Sequence, residues 1–319
     1  MKEYSSCFAE RIKSMLEFRL SVGMKNVTHE CYLKAFDDYC RRYRRRNCEL
    51  THDIVFEFID HEAKRRGNRC HSRYSVMRTF GQYLRAIGVD AYVLPVTMMP
   101  QKTKPLPYVF TDEELSAFFR SMDTPPKSKY SPWLLTVLPV MMRLIYTCGL
   151  RPGEGMYLPL DHVNLSTGEI KLTETKHNRE RIVVMSDDMK AYLENYLAIR
   201  NARFAQSGPL FPDERGEEFE PYRIRRIFND SWRRANPSLK ESELPRIRIY
   251  DLRHRFASAV LHRWMDEGRH ILSMIPYLRA YMGHRIISST MYYVHLLPER
   301  FVSSQGIDWN KLNTIIPED

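Results

Sequence analysis

A proline-rich segment, Leu94–Pro107, divides this chain into two stretches that differ in charge and in motif content. The segment reads LPVTMMPQKTKPLP and has neither helical nor alternating periodicity. Proline lacks a backbone N–H and interrupts helices and central strands. Because 319 residues are many for one core and domains commonly hold about 150 residues, two domains are expected. We predict one domain over residues 1–93, a linker over 94–107 and a second domain over 108–319.

Charge is concentrated in the first stretch. The chain carries 49 Lys and Arg against 39 Asp and Glu, a formal net charge of +10 with a pI near 9.3. Residues 1–104 hold 20 basic and 12 acidic side chains, so most of the excess lies there. A basic balance favours a nucleic acid or an anionic surface as partner.

Several protein classes are disfavoured by composition. No apolar run approaches the ~20 residues that a membrane helix needs, and the N-terminus lacks a secretory apolar region. Six cysteines form no C-x-x-C pair, which argues against a zinc knuckle or a disulfide framework. The sequence therefore predicts a cytoplasmic protein with free thiols and no membrane contact.

The first stretch has apolar residues spaced three and four apart, which predicts helices throughout. The first helix is expected over about Cys7–Ser21. Thr28 is expected to cap the second helix and Thr51 the third. A fourth helix is expected over about Ser72–Ile87.

The second stretch mixes helices with a little strand. Thr111 and Glu114 have the spacing of a capping box, so a helix is expected to begin there. An apolar helix follows over Leu134–Thr147. Gly168–Thr173 and Arg181–Met185 have the alternation and β-branched content of two strands. The fold class is thus mainly α with a small β-sheet in the second domain.

Five short motifs in the second stretch carry side chains suited to one chemistry, cleavage of a phosphodiester. They are CGLRPGE from Cys148, TKHNRERIV from Thr175, YDLRHRF from Tyr250, the Gly283-His284 pair, and Tyr293 nine residues later. Arginine offers a planar fork of donors that fits phosphate oxygens, and a tyrosine oxygen is able to act as a covalent nucleophile.

These motifs, in this order, resemble the active site of the tyrosine recombinase (phage integrase) family. The resemblance covers the C-terminal two-thirds of the chain and implies a helical core-binding domain ahead of a catalytic domain. It also implies a set of catalytic residues: Arg151, Lys176, Tyr250, Arg253, His284 and Tyr293. Glu154 would orient Arg151, and His254 would support the site from the same helix as Arg253.

Three positions leave alternatives open. Lys171 competes with Lys176 as the proton donor, although the family pattern favours the lysine of the expected hairpin turn. Tyr292 adjoins Tyr293, but neighbours on a helix point about 100° apart and the spacing from the G-H pair selects Tyr293. Tyr250 stands where the family usually has histidine; a phenol still donates a hydrogen bond but rarely ionises near neutrality.

The resemblance implies a reaction without metal or organic cofactor. The tyrosine attacks a DNA phosphate, giving a 3′-phosphotyrosyl ester and a 5′ hydroxyl, while the lysine protonates the leaving oxygen. The arginines stabilise the pentacoordinate transition state. The expected partner is double-stranded DNA with specific recombination sites, bound by a homotetramer in the synaptic complex that is a monomer or dimer when free.

Basic residues outside the motifs are candidates for DNA contacts, with a solvated surface as the alternative. The basic helix expected over Tyr222–Ala235 is the candidate in the catalytic domain. The candidates are Arg41, Arg42, Arg44, Arg45, Arg46, Arg65, Arg66, Arg69, Arg73, Arg78, Lys102, Lys104, Arg223, Arg225, Arg226, Arg233 and Arg234.

Two further alternatives concern the tail and the function. The apolar residues Trp309, Leu312, Ile315 and Ile316 are expected to pack on a neighbouring subunit or on their own domain. The rival functions are a DNA-binding relative that does not cleave, supported by Tyr250, and a type IB topoisomerase that relaxes DNA without strand exchange.

Overall fold

The structure is a computed structural model that describes residues 2–43, 48–67, 70–101, 106–126, 130–173, 180–205 and 208–295, apart from the side chains of Arg66 and His295. It separates into two compact units, Met1–Pro105 and Leu106–Asp319. The division falls within the proline-rich segment. Lys102, Lys104, Lys176, Arg44–Arg46, Arg69 and the tail after His295 lie outside the described residues.

Within its described residues, the N-terminal unit has four α-helices: α1 (Ala9–Ser21), α2 (Val27–Arg42), α3 (His52–Arg66) and α4 (His71–Ala86). Their apolar faces meet in one core in which Phe8, Phe36, Phe58 and Phe80 are fully buried. Phe36 contacts the other three rings at centroid distances of 5.2–6.1 Å.

The helix starts in this unit agree with the sequence at α3 and differ at α2. Thr51 caps α3, because its hydroxyl accepts a hydrogen bond from the N–H of Ile54 at 3.4 Å. The N-cap of α2 is Asn26, two residues before the expected Thr28. The Asn26 amide donates to the carbonyl of Leu16 and accepts from Arg19, so it ties α2 to α1.

The C-terminal unit contains seven longer helices and a short one. Among the described residues they are α5 (Asp112–Asp123), α6 (Pro132–Thr147), α7 (Pro152–Met156), α8 (Asp187–Asn201), α9 (Pro221–Ala235), α10 (Ile249–Asp266), α11 (Ile271–Met282) and α12 (Ser288–His295). The capping box expected at Thr111 and Glu114 is confirmed: each contributes its side chain to the backbone N–H of the other.

The strands β1 (Val163–Asn164), β2 (Glu169–Leu172) and β3 (Arg181–Val184) form an antiparallel sheet in the order β1-β2-β3. Leu172 pairs with Arg181 at the end of the β2–β3 ladder. The sequence predicted β2 and β3 but not the two-residue β1.

Two apolar clusters hold the C-terminal unit together. The larger one surrounds α6, which is buried along most of its length, and includes an aromatic group formed by Phe110, Phe118, Phe228 and Trp232. The smaller one joins α10, α11 and α12 and contains Tyr293. No helix in the described part of the chain is long and apolar enough to cross a membrane.

Candidate active site

The turn after α6 directs Arg151 into the site. Gly149 has φ +59°, and a Cβ there would lie 2.3 Å from the ring of Phe256, so glycine is required both for its conformation and for space. Arg151 then occupies the N-cap position of α7, and Pro152 follows at the first helical position, where a missing N–H costs little.

The carboxylate of Glu154 is the centre of a cluster of three arginines. It accepts hydrogen bonds from the backbone N–H of Arg151 at 2.8 Å and from Nη1 of the same residue at 2.6 Å. Arg181 donates to both carboxylate oxygens, at 2.9 and 2.7 Å. Nη1 of Arg253 lies 3.9 Å from Oε2. One buried negative charge therefore orients three positive side chains.

These partners keep Glu154 ionised. Burial by itself would raise the pKa of its carboxyl, but the hydrogen bonds and charge of Arg181, followed by those of Arg151, lower the pKa to about 2. The carboxylate is consequently charged throughout the neutral range, and with three arginines the cluster keeps an excess of positive charge for a phosphate.

Arg253, in the second turn of α10, is fully buried. Its Nη1 donates to the carbonyl of Gly149 at 2.7 Å, and its Nη2 donates to the carbonyl of Met282. Its Nε is buried and has no hydrogen-bond partner among the residues that the structure describes. A buried donor of this kind is costly unless a ligand satisfies it, and a phosphate oxygen is a suitable acceptor.

His284 is held in one tautomer by its two neighbours. Nε2 lies 3.1 Å from Nη2 of Arg253, and Nδ1 lies 2.9 Å from Oγ1 of Thr290. Since a guanidinium only donates, Nε2 is the acceptor and the N–H is on Nδ1, facing Thr290. Burial, followed by the charges of Arg253 and Arg151, lowers the pKa of His284 to about 3, so the ring is neutral. In this arrangement His284 orients Arg253.

Tyr293 is presented to this group by α12. Its side chain is 2% exposed, and its ring lies 5.9 Å from that of His284 and 5.4 Å from that of His254, centroid to centroid. Burial raises the pKa of the phenol to about 12, and the nearby charge of Arg253 acts in the opposite direction. Tyr292 is half-buried with its ring centroid 6.2 Å from that of Tyr293. The buried tyrosine of the pair is the one that the spacing selected.

Tyr250 and His254 form the side of the site on α10. Their rings meet edge to face with centroids 4.9 Å apart. Burial lowers the pKa of His254 to about 4, so this ring too is neutral, and its Nδ1 is buried with no partner among the described residues. Tyr250 also influences the pKa of Tyr293, which places the two phenols in the same site.

The structure therefore brings Arg151, Tyr250, Arg253, His284 and Tyr293 together from four separate segments. Lys176 lies outside the described residues. Lys171, the alternative proton donor, is on the exposed face of β2, and its Nζ lies 3.6 Å from Oε2 of Glu180.

Two residues in contact with the site were missed from the sequence. Arg181 bonds Glu154 across 27 positions, and Thr290 fixes the His284 ring. Arg181 begins β3, directly after the expected hairpin, and this position was the one available signal. No feature of the sequence around Thr290 indicated its contact with His284.

In the N-terminal unit, Arg41, Arg42 and Arg65 line one groove of about 740 Å³, together with Lys2 and Lys34. Arg65 forms a two-point ion pair with Glu62 and remains half-exposed. The groove is mixed in charge, since Asp38 and Glu62 also line it.

The burial of Arg73 argues against the phosphate contact predicted for it from the sequence. Its side chain is 1% exposed and its guanidinium lies over the ring of Tyr32 at 5.9 Å, because its position on α4 faces the helical core. Arg78 also turns inward and donates to the carbonyl of Leu94.

On α9, the arginines divide into two groups. Arg225 and Arg226 are exposed. Arg223 forms a two-point ion pair with Glu214, Arg233 pairs with Glu241, and Arg234 donates to the carbonyl of Thr124. Arg225 and Arg226 are thus the members of this helix most available to a partner.

A helical domain with a small antiparallel sheet, in which a buried tyrosine adjoins two arginines and a histidine, defines the catalytic domain of a tyrosine recombinase. The chain belongs to the phage integrase family, whose model matches residues 109–300. The predicted fold class and the predicted family are both confirmed.

Relatives match over most of the chain. A putative integrase/recombinase, y4rB, from Sinorhizobium fredii is 25% identical over 303 residues, covering 92% of this chain and 94% of that protein. The tyrosine recombinase XerD of Pseudomonas putida is 28% identical, covering 88% of this chain and 90% of that protein.

Solved structures share the fold. The Tn1549 transposon integrase in complex with transposon right end DNA has a TM-score of 0.63 at 12% identity, over 96% of each chain. The XerH site-specific recombinase in a post-cleavage complex with its palindromic difH substrate has a TM-score of 0.61 at 16% identity, over 96% of this chain and 85% of that one.

Proposed function

We propose that this protein is a site-specific DNA recombinase that cleaves and rejoins strands through a covalent 3′-phosphotyrosyl intermediate at Tyr293. The observation that carries the proposal is that the buried Tyr293 phenol lies in one group with Arg253, His284 and the partly exposed Arg151. Relatives named integrases and recombinases, and fold neighbours solved with transposon and recombination-site DNA, support the same activity.

Each side chain has a proposed part in the reaction. The oxygen of Tyr293 attacks the phosphorus, and the bond from phosphorus to the 5′ oxygen breaks. Lys176 supplies the proton to that leaving oxygen, giving a 5′ hydroxyl. Arg151 and the unpartnered Nε–H of Arg253 stabilise the charge on the non-bridging oxygens. Attack by a 5′ hydroxyl from another strand reverses the step and completes the exchange, without a metal or organic cofactor.

The burial of the site implies that DNA binding must open it. Tyr293 and Arg253 are almost inaccessible, whereas Arg151 keeps part of its side chain exposed. We infer that a phosphate first meets Arg151 and that α12 shifts to admit it to Tyr293. The shift need not disturb Glu154, whose partners are on other segments.

The proposed partner is double-stranded DNA carrying specific sites. The groove with Arg41, Arg42 and Arg65 is the proposed backbone contact of the N-terminal unit, which would act as the core-binding domain. Arg225 and Arg226 are proposed to contact DNA from α9. A homotetramer on two sites is the proposed synaptic assembly, and an enzyme of this activity acts where its DNA lies, inside the cell.

A nicked suicide duplex tests the cleavage step. Because of the nick, the short fragment that carries the free 5′ hydroxyl diffuses away after cleavage and cannot be rejoined. A protein that cleaves therefore remains attached to the DNA and migrates as a slower band in a denaturing gel. The wild type and the Tyr292→Phe control are expected to be trapped, and Tyr293→Phe is expected not to be. Equal trapping of Tyr293→Phe and wild type would refute the assignment of the nucleophile.

Strand exchange separates recombination from the rival functions. Two labelled duplexes carrying the same site are expected to yield hybrid products. Relaxation of supercoiled plasmid without hybrids would favour a topoisomerase, and binding without trapping would favour a non-cleaving relative.

A further inference from the structure

Arg181 is a well-bonded side chain of the site to which the proposed reaction gives no part. It begins β3, and its side chain is 9% exposed. Two of its nitrogens donate to the two oxygens of Glu154, and Nε donates to the carbonyl of Tyr281 at 2.9 Å. The guanidinium is therefore fixed by three hydrogen bonds that join the start of β3 to Glu154 on α7 and to the end of α11.

The backbone around Arg181 is shaped to admit it. Gly283 has φ +64°, and a Cβ there would lie 3.0 Å from Nη1 and 3.1–3.2 Å from two carbons of the Arg181 side chain. The carbonyl of the same glycine accepts a hydrogen bond from Nη2 of Arg151 at 2.6 Å. Arg181 and Arg151 thus meet the same glycine as well as the same carboxylate.

We propose that Arg181 is a positioning residue that holds Glu154, and through it the Arg151 guanidinium, in the geometry required for phosphate binding. The inference rests on the proposed function. Without Arg181, the Glu154 carboxylate loses two of its four hydrogen bonds and is free to rotate toward Arg151, where it competes with a phosphate for the guanidinium.

Arg181 also anchors the start of β3. It pairs with Leu172 at the end of the β2–β3 ladder. Its side chain is bonded to Glu154 and to the carbonyl of Tyr281, so the start of β3 is held against the residues that orient Arg151.

The test is a double-variant cycle in the suicide-duplex assay under single turnover. Arg181→Met is expected to slow covalent trapping about 100-fold, as a misplacement near 1 Å does, with DNA affinity unchanged. Arg143→Met is the matched control, because it breaks a comparable two-point pair with Asp123 on α5 and α6. If Arg181 acts through Glu154, the variant that also carries Glu154→Gln is no slower than the slower single variant. Losses that multiply, or a wild-type rate in folded Arg181→Met, would overturn the proposal.

A pH profile adds a readout that a merely structural role would leave unchanged. Glu154 is faced by Arg181 from β3, by Arg151 from α7 and by Arg253 from α10, with the neutral His284 beyond them. Removing Arg181 raises the Glu154 pKa from about 2 toward its ordinary value. Protonation ends the competition of the Glu154 carboxylate for Arg151, so the trapping rate of Arg181→Met is expected to recover in part as the pH drops through this raised pKa, unlike that of the wild type. Parallel profiles contradict the proposal.

Two further experiments distinguish a failure of this proposal from a failure of the proposed function. If Arg181→Met does not fold, Arg181→Lys retains the charge and loses the fork, and a wild-type rate in that variant would overturn the role. If the wild type traps no DNA, the proposed function fails. The loss of stability between pH 4.5 and 2 then tests the link, because it is expected to be smaller in Arg181→Met than in wild type.

Discussion

The imidazole of His284 lies nearly parallel to the phenol of Tyr293, with 18° between the ring planes and 5.9 Å between the centroids. The nitrogens of His284 are used elsewhere, one by Arg253 and one by Thr290. The contact therefore sets the orientation of the nucleophile, while the proton positions on the ring are set by its other neighbours.

Replacing Thr290 tests whether the orientation of the His284 ring matters. Thr290→Val removes the acceptor for the Nδ1 proton in a fully buried position, so the ring is expected to lose its fixed orientation, although Arg253 still selects the tautomer. Trapping on the suicide duplex is expected to slow roughly tenfold, because the net contribution of one hydrogen bond is about 1 kcal/mol and about 1.4 kcal/mol corresponds to a factor of ten in rate. Thr290→Ser keeps the hydroxyl and should react at nearly the wild-type rate. Equal rates for the Val and Ser variants would show that the hydroxyl has no such role.

The lowered pKa of His284 predicts that the folded protein loses stability in mild acid. Its folded-state pKa of about 3 is below the ordinary value, so the unfolded chain takes up a proton first as the pH falls. The contribution is present above about pH 6.5 and is lost as the pH falls toward 3. After allowance for solvent screening, on the order of 2 kcal/mol should be lost between pH 7 and pH 4.

The measurement is the free energy of unfolding by urea at both pH values. His284→Gln should be less sensitive to pH than the wild type by that amount. His254, with its own lowered pKa, contributes in the same direction in both proteins and so cancels in the difference. Identical pH dependence in the two proteins would mean that His284 is not held neutral.

The sequence predicts what depends on short spacing. Thr111 and Glu114 are three residues apart, and their capping box is present as expected. Glu154 was assigned to Arg151 on the same spacing, and the hydrogen bond is present. The family resemblance identified the G-H pair, its spacing selected Tyr293 over Tyr292, and the rings of His284 and Tyr293 adjoin in the structure.

Contacts between distant segments were beyond such reasoning. The burial of Arg73 depends on which face of α4 meets the other helices, and a basic helix with several arginines does not reveal which of them turns inward. The bond from Arg181 to Glu154 requires β3 to lie beside α7, which no local pattern specifies. The same holds for the contact of Thr290 with His284.

Replacing Tyr250 with histidine, the usual residue of the family at this position, is expected to make the trapping rate depend on pH. Tyr250→Phe removes a donor near Tyr293 and is expected to slow trapping roughly tenfold. Tyr250→His replaces the phenol with a group that titrates near neutrality, so its trapping rate is expected to vary between pH 5.5 and 8. The wild type should be flat over that range. A flat profile for Tyr250→His, or a wild-type rate for Tyr250→Phe, would remove Tyr250 from the site.

The groove on the N-terminal unit predicts a specific change in salt dependence. Arg41→Gln with Arg42→Gln removes two charges from the groove, so the slope of log affinity against log salt should become less steep by about 1.8. Lys13→Gln with Lys25→Gln removes the same charge from a partly exposed position on α1 and an exposed position after it, and should leave the slope unchanged. Arg73→Met should also leave it unchanged, because Arg73 is buried. Titrating labelled duplex at several salt concentrations gives the slopes for the wild type, the two double variants and Arg73→Met. If both double variants change the slope equally, the effect comes from net charge and the groove is not a specific DNA contact.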